Sequence, residues 1–258
     1  MSDTIRKYKL LKKKDKVLVG VSGGKDSLTA LHLLHKFGYN PEALAIDEGI
    51  AGYRAATLED AKKFCRERAI KLRVVSYEQE YGKKLDDIMK ERKKNACSPC
   101  GAFRRHSLNK YSQGYDKLAT GHNADDEAQT VLINLFKAQT QFMERQGPIT
   151  TKKKGFVQRV KPLYFMKEKE VMTYSYLNGI KTTFAECPYS KDAYRIKVRD
   201  LLNEYAEKNP GTKENLVKTQ LWLKAKMKTE KKEMKYCSKC GAPSAGEVCK
   251  SCEYGERY

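Results

Sequence analysis

The feature that most constrains the fold of this chain is a short apolar strand that leads through a glycine-rich loop into a helix. Lys16–Ser22 is rich in valine, which favours strands, and the apolar residues of Asp26–Phe37 recur at helical spacing. Gly23 and Gly24 lie between the two segments and allow the chain to turn tightly. A strand, a tight loop and a helix in this order favour an α/β fold.

The same alternation of strands and helices continues along the chain. Strands that are separated by helices indicate a doubly wound parallel sheet, because each helix carries the chain back to the next parallel strand. The further predicted strands are Glu42–Asp47, Lys71–Tyr77, Lys117–Thr120 and Arg159–Phe165, and the further predicted helices are Thr57–Ile70, Asp125–Lys137, Lys167–Asn178 and Ala193–Lys208.

We expect three regions. Residues 1–165 form the α/β domain, residues 166–235 form a helical and basic extension, and residues 236–258 form a small C-terminal module. The stretch Lys213–Lys235 contains eight lysines and three glutamates around one tryptophan. Two interpretations stay open for it, a solvated helix face or linker and a surface that holds RNA.

The charge of the chain predicts a polyanionic partner. The 258 residues include 52 Lys and Arg against 32 Asp and Glu, a formal net charge of +20. Lysines and arginines that neutralise phosphates release condensed counterions, so nucleic acid is the leading candidate. No apolar run approaches the roughly 20 residues that cross a bilayer, and the N-terminus has no apolar signal segment. We therefore expect a cytoplasmic protein that does not bind membranes.

Four cysteines near the C-terminus have the spacing of a zinc ribbon. Cys237 and Cys240 form one Cys-x2-Cys pair, and Cys249 and Cys252 form a second pair after eight intervening residues. Two such pairs supply the four thiolates of a closed tetrahedral Zn2+ site. Because protein fills all four positions, we expect a structural site that stabilises a segment too short to build its own core.

Three further cysteines are candidates for metal or redox chemistry. Cys97 and Cys100 form a third Cys-x2-Cys pair, and Cys187 stands alone 90 residues after Cys97. By spacing, the pair could share a metal or cluster, or act as a thioredoxin-like redox pair. Cys65 lies within a helical pattern and matches no ligand spacing, so we expect it to be structural.

The loop Ser22-Gly23-Gly24-Lys25-Asp26-Ser27 is predicted to bind an anion. It stands where a strand gives way to a helix, where backbone N–H groups and the helix dipole attract negative charge. Lys25 can neutralise a phosphate oxygen, and the two serines can donate hydroxyl hydrogen bonds. The loop is not a Walker A motif, which requires glycine where this chain has Val19, and it does not fit G-x-G-x-x-G. The alternative is a simple turn with a solvated lysine.

A second group of polar residues follows the predicted strand Lys117–Thr120. Gly121, His122 and the acidic run Asp125–Glu127 stand at its carboxyl end, the edge at which doubly wound sheets bind ligands. Asp126 is the acid that we expect to act at this edge. The alternative is that these acids only cap the following helix, because negative charge is favourable at a helix N-terminus.

Together these segments resemble a known family. The loop SGGKDS resembles the PP-loop of the ATP pyrophosphatases, and the whole chain resembles the tRNA 2-thiouridine synthetases of that superfamily, of the archaeal and eukaryotic cytosolic type. The other segments that carry the resemblance are CSPCGAFRR at 97–105, ATGHNADDEAQT at 119–130, KPL at 161–163, CPYS at 187–190, VRDLLNEYAEKNPGTK at 198–213, and the terminal cysteine pairs.

The resemblance implies a role for the three further cysteines. In the family, matching cysteines hold a [4Fe–4S] cluster, so the implied ligands and catalytic cysteines here are Cys97, Cys100 and Cys187. Four cysteines are the usual ligand set of such a cluster, so three leave one iron open to an exogenous sulfide. The competing interpretation is a three-cysteine zinc site with water in the fourth position.

The resemblance also implies ATP and Mg2+ as cofactors. The pyrophosphatases cleave ATP between its α- and β-phosphates, and Lys25 and Asp126 are the implied catalytic residues of that step. Arg104 is expected to reach a phosphate, whereas Arg105 is expected to be a surface partner and Lys137 is a weaker phosphate candidate. The implied nucleotide-binding residues are Ser22, Gly23, Gly24, Lys25, Asp26, Ser27, Ile46 with Asp47 at the adenine ring, Arg104, Gly121 and Asp126.

The implied function is ATP-dependent tRNA thiolation. The enzyme adenylates the C2 oxygen of a uridine, and a sulfide on the [4Fe–4S] cluster then replaces AMP to give 2-thiouridine. The alternatives are a tRNA 2-thiocytidine synthetase and a non-catalytic RNA-binding adaptor. The expected partners are tRNA and a sulfur donor, either free sulfide or a ubiquitin-like thiocarboxylate protein, and a homodimer is a further expectation.

One departure from the family pattern is visible at the N-terminus. Family members commonly begin with a further Cys/His zinc ribbon, whereas here Met1 is followed almost at once by TIRKYKLL and the first predicted strand. We therefore expect the tRNA contacts of that ribbon to come from another surface of this chain or to be missing.

Overall fold

The structure is a computed structural model that describes residues 1–92, 95–191, 193–227 and 234–257. Strands and helices alternate over most of its length. The first half contains α1 (Ser2–Tyr8), β1 (Val17–Val21), α2 (Lys25–Lys36), β2 (Glu42–Asp47), α3 (Arg54–Glu67), β3 (Leu72–Ser76), α4 (Tyr77–Tyr81), α5 (Leu85–Glu91), α6 (Cys97–Tyr111) and β4 (Lys117–Thr120).

Helices predominate in the second half. It contains α7 (Ala124–Phe136), a 3-10 helix (Thr140–Arg145), β5 (Gln158–Val160), α8 (Glu168–Leu177), a 3-10 turn (Pro188–Ser190), α9 (Tyr194–Lys208), α10 (Thr212–Lys226), β6 (Lys235–Tyr236), β7 (Pro243–Ser244) and α11 (Lys250–Arg257).

Strands β1 to β5 form one parallel sheet. Their order is β3-β2-β1-β4-β5, and each neighbouring pair is parallel. The chain moves outward from β1 through β2 to β3 and then returns to the other side of β1 with β4. The order therefore reverses between β1 and β4, which confirms the predicted doubly wound α/β fold.

The central strand β1 buries side chains on both faces of the sheet. Val19 of β1 packs with Leu31 of α2 and Phe64 of α3 on one face. Leu18, its neighbour in β1, packs with Phe103 of α6 on the opposite face. Successive side chains of a strand point to opposite faces, so helices must cover both faces of this sheet. The face that α6 covers is the one that carries the functional site.

Two segment predictions require correction. The predicted strand Arg159–Phe165 is wrong after Val160, because the chain turns: the N–H of Tyr164 donates to the carbonyl of Lys161 (3.1 Å), and Pro162 has no N–H for a sheet. Helix α3 begins at Arg54 rather than at residue 57, because the Arg54 side chain is fixed by contacts with β2 and with the loop after β1.

The sequence analysis did not identify α1, α4, α5 or α6 as helices. Helix α6 is the most consequential of these, because it carries Cys97 and Cys100 in its first turn. Its central residue Phe103 is fully buried against the sheet, whereas Arg104 and Arg105 lie on its exposed side. Tertiary packing therefore fixes this helix, whose own sequence has a Pro and a Gly near its start.

The helices after residue 165 pack directly on the α/β core. Helix α8 packs against α2, where Val171 lies with Leu33, and α9 and α10 pack against α7, where Leu202 and Val217 lie with Ala128. Residues 213–226 thus form a packed helix, and residues 228–233 of the predicted basic stretch lie outside the described residues. The region boundaries at 165 and 235 stay predictions.

The C-terminal cysteine segment is seated on α6. The ring centroid of Tyr254 in α11 lies 6.5 Å from that of Phe103, and Nε2 of His106 lies 3.6 Å from Sγ of Cys240. Pro243 also contacts Gly155 of the loop before β5. Across the described ranges, no helix combines the length and apolarity that a bilayer crossing requires.

Candidate functional site

A cavity of about 310 Å3 opens where the strand order reverses. It lies at the carboxyl ends of β1, β2 and β4, the crevice in which open α/β sheets bind ligands. Its lining combines apolar residues such as Leu44 and Ile46 with polar and charged ones. The lining residues are Gly20, Val21, Ser22, Asp26, Ser27, Leu44, Ile46, Glu48, Arg54, Arg104, Leu108, Thr120, Gly121, His122 and Asp126.

Two glycines are required by the close packing around this cavity. Gly23 has φ +87°, and an added Cβ would lie 1.8 Å from the carbonyl oxygen of Thr57. Gly121 brings the loop after β4 against the start of α2, where a Cβ would lie 2.7 Å from the backbone of Asp26. Because only glycine fits at both positions, the two loops and the N-termini of α2 and α7 can converge on one point.

The hydroxyl groups of the glycine loop are mutually bonded. Oγ of Ser22 and Oγ of Ser27 lie 3.2 Å apart, and Ser27 also donates to the carbonyl of Gly24. Both serines line the cavity. The N–H of Ser22 donates to Oγ of Ser27 (3.1 Å) and that of Gly24 to Oγ of Ser22 (3.3 Å), so these bonds hold the loop closed around the start of α2.

Lys25 does not line the cavity. Its ammonium lies 2.8 Å from Glu168 of α8 and 3.1 Å from Asp26. Burial lowers the pKa of Lys25, but the bonds and charges of these two carboxylates outweigh it and raise the pKa above its ordinary value. Lys25 therefore stays protonated at neutral pH, at the edge of the loop. Its partner Glu168 was not predicted from the sequence.

The three acids of the run Asp125–Glu127 have different surroundings. Asp125 pairs with Lys213 of α10 (2.5 Å), and Glu127 pairs with Lys161 (2.6 Å), so both hold neighbouring elements in place. Asp126 alone lines the cavity. The structure thus separates one candidate functional acid from two packing acids.

Asp126 combines the two roles that the sequence left open. Its carboxylate accepts the N–H of Asn123, and its own N–H donates to the Asn123 side chain, which caps α7. Desolvation raises the pKa of Asp126 to about 6, and the nearby charges of Asp26 and Glu127 add to the rise. Two crowded carboxylates at one cavity, Asp26 and Asp126, offer the oxygen ligands that Mg2+ prefers.

His122 lies at the rim of the cavity, among positive charges. Its Nδ1 is 2.9 Å from Oγ1 of Thr120, and the ring reaches solvent. The cleft around the ring and the cations beside it both lower the pKa of His122 below its ordinary value. The imidazole is therefore neutral at pH 7, at the centre of an electropositive rim. The cations concerned are Lys161, Arg195, Arg159 and Arg104.

The structure brings the three further cysteines together. Cys97 is exposed and Cys100 is buried at the start of α6, and Cys187 packs half-buried against the same apolar cluster as Cys100. Tyr189 fixes the Cys187 segment by donating to Asp86 of α5 (2.8 Å). Burial raises the pKa of the Cys100 and Cys187 thiols, while the charge of Arg104 opposes this rise at both. The charge of Cys187 adds to the rise at Cys100, and that of Cys97 adds to the rise at Cys187.

The spacing of these sulfurs distinguishes them from the ribbon. Within the described residues, the ribbon cysteines are the one group of three or more potential ligands whose atoms all lie within 4.8 Å of one another. Sulfurs that bind one zinc at ~2.3 Å lie at most ~4.6 Å apart. In the part of the chain that the structure describes, the sulfurs of Cys97, Cys100 and Cys187 do not form a second group of this kind.

The ribbon cysteines fit one tetrahedral zinc ion. Although burial alone would raise it, the N–H groups of Cys249, Cys240 and Lys239 lower the pKa of Cys237 to about 6. Such N–H···S bonds stabilise the thiolate form, which is the form that binds metal. The four sulfurs form the closed set that the spacing predicted.

Arg104 connects the cavity with the cysteines. It lines the cavity, and its Nη2 lies 3.6 Å from Sγ of Cys100 and 2.7 Å from Oε1 of Glu48. Neither Glu48 nor Arg54 was predicted from the sequence as a functional residue. Glu48 directly follows β2, at the same sheet edge as the glycine loop, and that position is the signal by which it could have been found.

Of the remaining residues that the sequence analysis singled out, Lys137, Asp47 and Cys65 do not line the cavity. Lys137 ends α7 far from Asp126 and lies over the ring of Tyr194 (4.2 Å). Asp47 accepts the N–H of Gly49 and does not line the cavity, whereas Ile46 does. Cys65 is buried in the core with a pKa that burial raises to about 11, as a structural thiol requires.

Comparisons with known proteins agree over most of the chain. Residues 1–205 match the family model described as a PP-loop domain. A tRNA-5-methyluridine(54) 2-sulfurtransferase of Pyrococcus horikoshii is 40% identical, over 98% of this chain and 83% of that protein. Cytoplasmic tRNA 2-thiolation protein 1 of Caenorhabditis elegans is 34% identical, over 97% of this chain and 69% of that protein.

A solved structure matches the fold closely. It is that of the U34-tRNA thiolase NcsA from Methanococcus maripaludis with its [4Fe-4S] cluster. The TM-score is 0.84 and the sequence identity 34%, and the match covers 99% of this chain and 87% of that chain.

Proposed function

The chain belongs to the PP-loop family of tRNA 2-thiolation proteins, and from this premise we propose that it is an ATP-dependent tRNA 2-sulfurtransferase that makes 2-thiouridine. One observation carries the proposal: Arg104 lines the cavity at the strand ends and also contacts the sulfur of Cys100. A site that can activate an oxygen and a site that can deliver sulfur therefore adjoin.

In this proposal the cavity binds ATP. The glycine loop Ser22–Ser27 and the N-termini of α2 and α7 receive the phosphates, because residues of the loop and of the first turn of both helices line the cavity. The apolar wall, with Leu44 and Ile46 of β2, receives the adenine ring. Asp26 and Asp126 hold Mg2+, whose charge offsets the crowding that raises the pKa of Asp126.

The first chemical step activates the uridine. Its C2 oxygen attacks the α-phosphorus of ATP, the bond from that phosphorus to the bridging oxygen breaks, and Mg-pyrophosphate leaves with the electron pair. Lys25 and the loop N–H groups stabilise the charge on the departing pyrophosphate. Neutral His122 and the surrounding cations hold the tRNA phosphates beside the cavity. The oxygen then departs from C2 as part of AMP when sulfur replaces it.

Cys97, Cys100 and Cys187 are the residues that hold the [4Fe–4S] cluster. Cys187 packs on the same apolar cluster as Cys100, and the M. maripaludis relative is a thiolase with a [4Fe-4S] cluster. When bound, the cluster supplies the sulfur carrier, because one iron has no protein thiolate. The ribbon cysteines hold Zn2+ and stabilise the C-terminal segment against α6.

The partners follow from the same proposal. The substrate is tRNA, as in the proteins that the chain resembles and as the charge of +20 favours. The sulfur donor is free sulfide or a ubiquitin-like thiocarboxylate protein, and separate assays with each donor distinguish them. The names of the eukaryotic relatives support a cytoplasmic location. A homodimer stays an expectation that sedimentation equilibrium checks.

The experiment that tests the function measures both half-reactions. Anaerobically purified protein is mixed with ATP, Mg2+, sulfide and tRNA that lacks 2-thiouridine, and pyrophosphate and thionucleosides are quantified. We expect tRNA-dependent pyrophosphate release and 2-thiouridine, and the loss of both in Lys25→Ala. Absence of tRNA-dependent pyrophosphate release in the native protein would mean an RNA-binding adaptor, and 2-thiocytidine as the product would mean the cytidine enzyme.

The same assay locates the modified uridine. The relatives include enzymes named for position 54 and for position 34. Substrate tRNAs in which residue 34 or residue 54 is replaced by cytidine are compared with the unaltered tRNA. The replacement that abolishes 2-thiouridine formation identifies the target.

A further inference from the structure

A chain of three charged side chains crosses from the glycine loop to the cysteines. Nη1 of Arg54 donates to the carbonyl of Ser22 (2.5 Å), and its Nε lies 2.7 Å from Oε2 of Glu48. The other carboxylate oxygen of Glu48 accepts from Nε (3.1 Å) and Nη2 (2.7 Å) of Arg104. The chain ends 3.6 Å further on, at Sγ of Cys100.

Burial makes this arrangement sensitive to charge. The side chains of Arg54 and Glu48 are only 4% and 5% exposed, whereas that of Arg104 is 49% exposed. One carboxylate lies between two guanidinium groups, so the three groups together carry one positive charge. The exposed end of that charge, at Arg104, faces both the cavity and the cysteine sulfur. Removing water strengthens interactions between such charges.

The three residues join separate elements. Glu48 follows β2, Arg54 begins α3, and Arg104 lies one turn beyond Cys100 on α6. Arg54 also donates to the carbonyl of Ile46 (2.9 Å) and to Oγ1 of Thr57 (2.9 Å), so it is fixed from several sides. Glu48 is therefore the link through which the buried Arg54 positions the half-exposed Arg104.

We propose that Glu48 is a positioning residue that holds Arg104 between the nucleotide cavity and the Cys100 thiolate, so that a nucleotide in the cavity changes the positive charge at that sulfur. The inference rests on the proposed function, because it requires ATP in the cavity and a cluster on Cys100. It assigns to Glu48 a role in coupling the nucleotide cavity to the cysteine site.

The direction of the coupling follows from electrostatics. A nucleotide phosphate competes with the Cys100 sulfur for the Arg104 guanidinium, so the positive charge at the sulfur falls when nucleotide binds. Hydrogen bonds and positive charge at cluster sulfurs raise the reduction potential of a cluster, so nucleotide binding lowers it. Without Glu48, Arg104 has no fixed position and this response is lost.

The experiment uses the cluster-loaded protein and the non-hydrolysable analogue α,β-methylene-ATP. The reduction potential and the spectrum of the reduced cluster are measured with and without the analogue. In the native protein we expect the analogue to lower the potential. In Glu48→Gln we expect native iron content, analogue binding and no shift, with thiolation turnover about 10- to 100-fold lower and an unchanged KM for tRNA.

The matched control is Glu80→Gln. Glu80 is a carboxylate, 11% exposed, that also binds a cation of α6, because it lies 2.6 Å from Lys110 at the opposite end of that helix. We expect this variant to keep the shift that the analogue causes. A shift of native size in Glu48→Gln, or an equal loss in both variants, would overturn the proposal.

A second variant keeps the proposal testable if Glu48→Gln does not fold or bind iron. Arg104→Gln removes the half-exposed end of the chain and should also abolish the shift, and a retained shift there overturns the proposal. Where all variants fold, Glu48→Gln/Arg104→Gln should be no slower than Arg104→Gln alone, because the two residues act in series. An iron-free native protein, or one that does not bind the analogue, would instead refute the proposed function.

Discussion

The two cysteine sites of this protein differ in how the chain assembles them. The ribbon draws four sulfurs from 16 consecutive positions, and all lie within 4.8 Å of one another. The other site draws Cys97 and Cys100 from one helix and Cys187 from a segment 90 residues later, and it adjoins a charged cavity. A local, closed ligand set stabilises its own segment, whereas an assembled, open set places reactive chemistry beside a second site.

The two sites nevertheless share one helix. Cys100 lies in the first turn of α6, and His106, six residues later, lies 3.6 Å from Cys240 of the ribbon. A rise of about 1.5 Å per residue separates them by about 9 Å along the helix. Because the ribbon and the open site both contact α6, a change in one can affect the other through this helix.

The strongest test of the comparison removes one ligand from the open site. We expect Cys187→Ala to abolish thiolation and iron binding and to keep about one zinc per chain, because Cys187 is not one of the four ribbon sulfurs that lie within 4.8 Å of one another. Metal analysis of anaerobically purified protein and quantification of thionucleosides measure the result. Zinc alone in both the native protein and the variant would contradict the cluster and favour a redox or persulfide role for these cysteines.

The second test separates nucleotide chemistry from the cysteines. Lys25→Ala is expected to lower tRNA-dependent pyrophosphate release about 100- to 1000-fold, because it removes a cation that stabilises the departing charge. Iron and zinc contents should stay native. The matched control is Glu168→Gln, which removes a partner of Lys25 but keeps the lysine, and which should slow the reaction far less. Equal losses in both variants would show that the ion pair, not the cation, matters.

The two cysteine sites also differ in how well the sequence predicts them. The ribbon could be predicted from spacing alone, because all of its ligands are local. The open site could be predicted only through resemblance, since no local pattern connects Cys187 with Cys97. Glu48 and Arg54 were missed because their importance arises from burial against three elements. The strand predicted for residues 161–165 failed for a related reason: turns that bury Leu163 and Tyr164 outweigh their strand preference.

The third test removes a ligand from the closed site. Cys249→Ala is expected to lose zinc and to unfold residues 235–257, because a segment of this size has little core without its metal. Hydrogen exchange should show lost protection there and unchanged protection in β1 and β4. Iron should largely remain, because α6 also packs on the sheet through Phe103. Loss of iron in parallel with zinc would show that the ribbon holds α6, and with it Cys97 and Cys100, in place.

The smallest expected effect concerns the contact between the two sites. The hydroxyl of Tyr81 lies 2.9 Å from Nδ1 of His106 and 3.0 Å from Oγ of Ser107, and the other nitrogen of His106 faces Cys240. Tyr81→Phe removes these bonds without changing the packing of the ring against Phe103. We expect the free energy of ribbon opening to fall by about 1 kcal/mol, the usual net value of such a bond.

Hydrogen exchange of the ribbon amides measures this opening, and release of zinc to a chelator should accelerate about fivefold, which corresponds to about 1 kcal/mol. The matched control is Tyr236→Phe, since Tyr236 is an exposed tyrosine within the ribbon itself. It should change neither rate. If Tyr81→Phe also leaves both rates native, the ribbon is held to α6 by apolar contacts such as that of Tyr254 with Phe103, and the two cysteine sites are independent. If its iron content falls as well, the contact through His106 also stabilises the start of α6, where the open site begins.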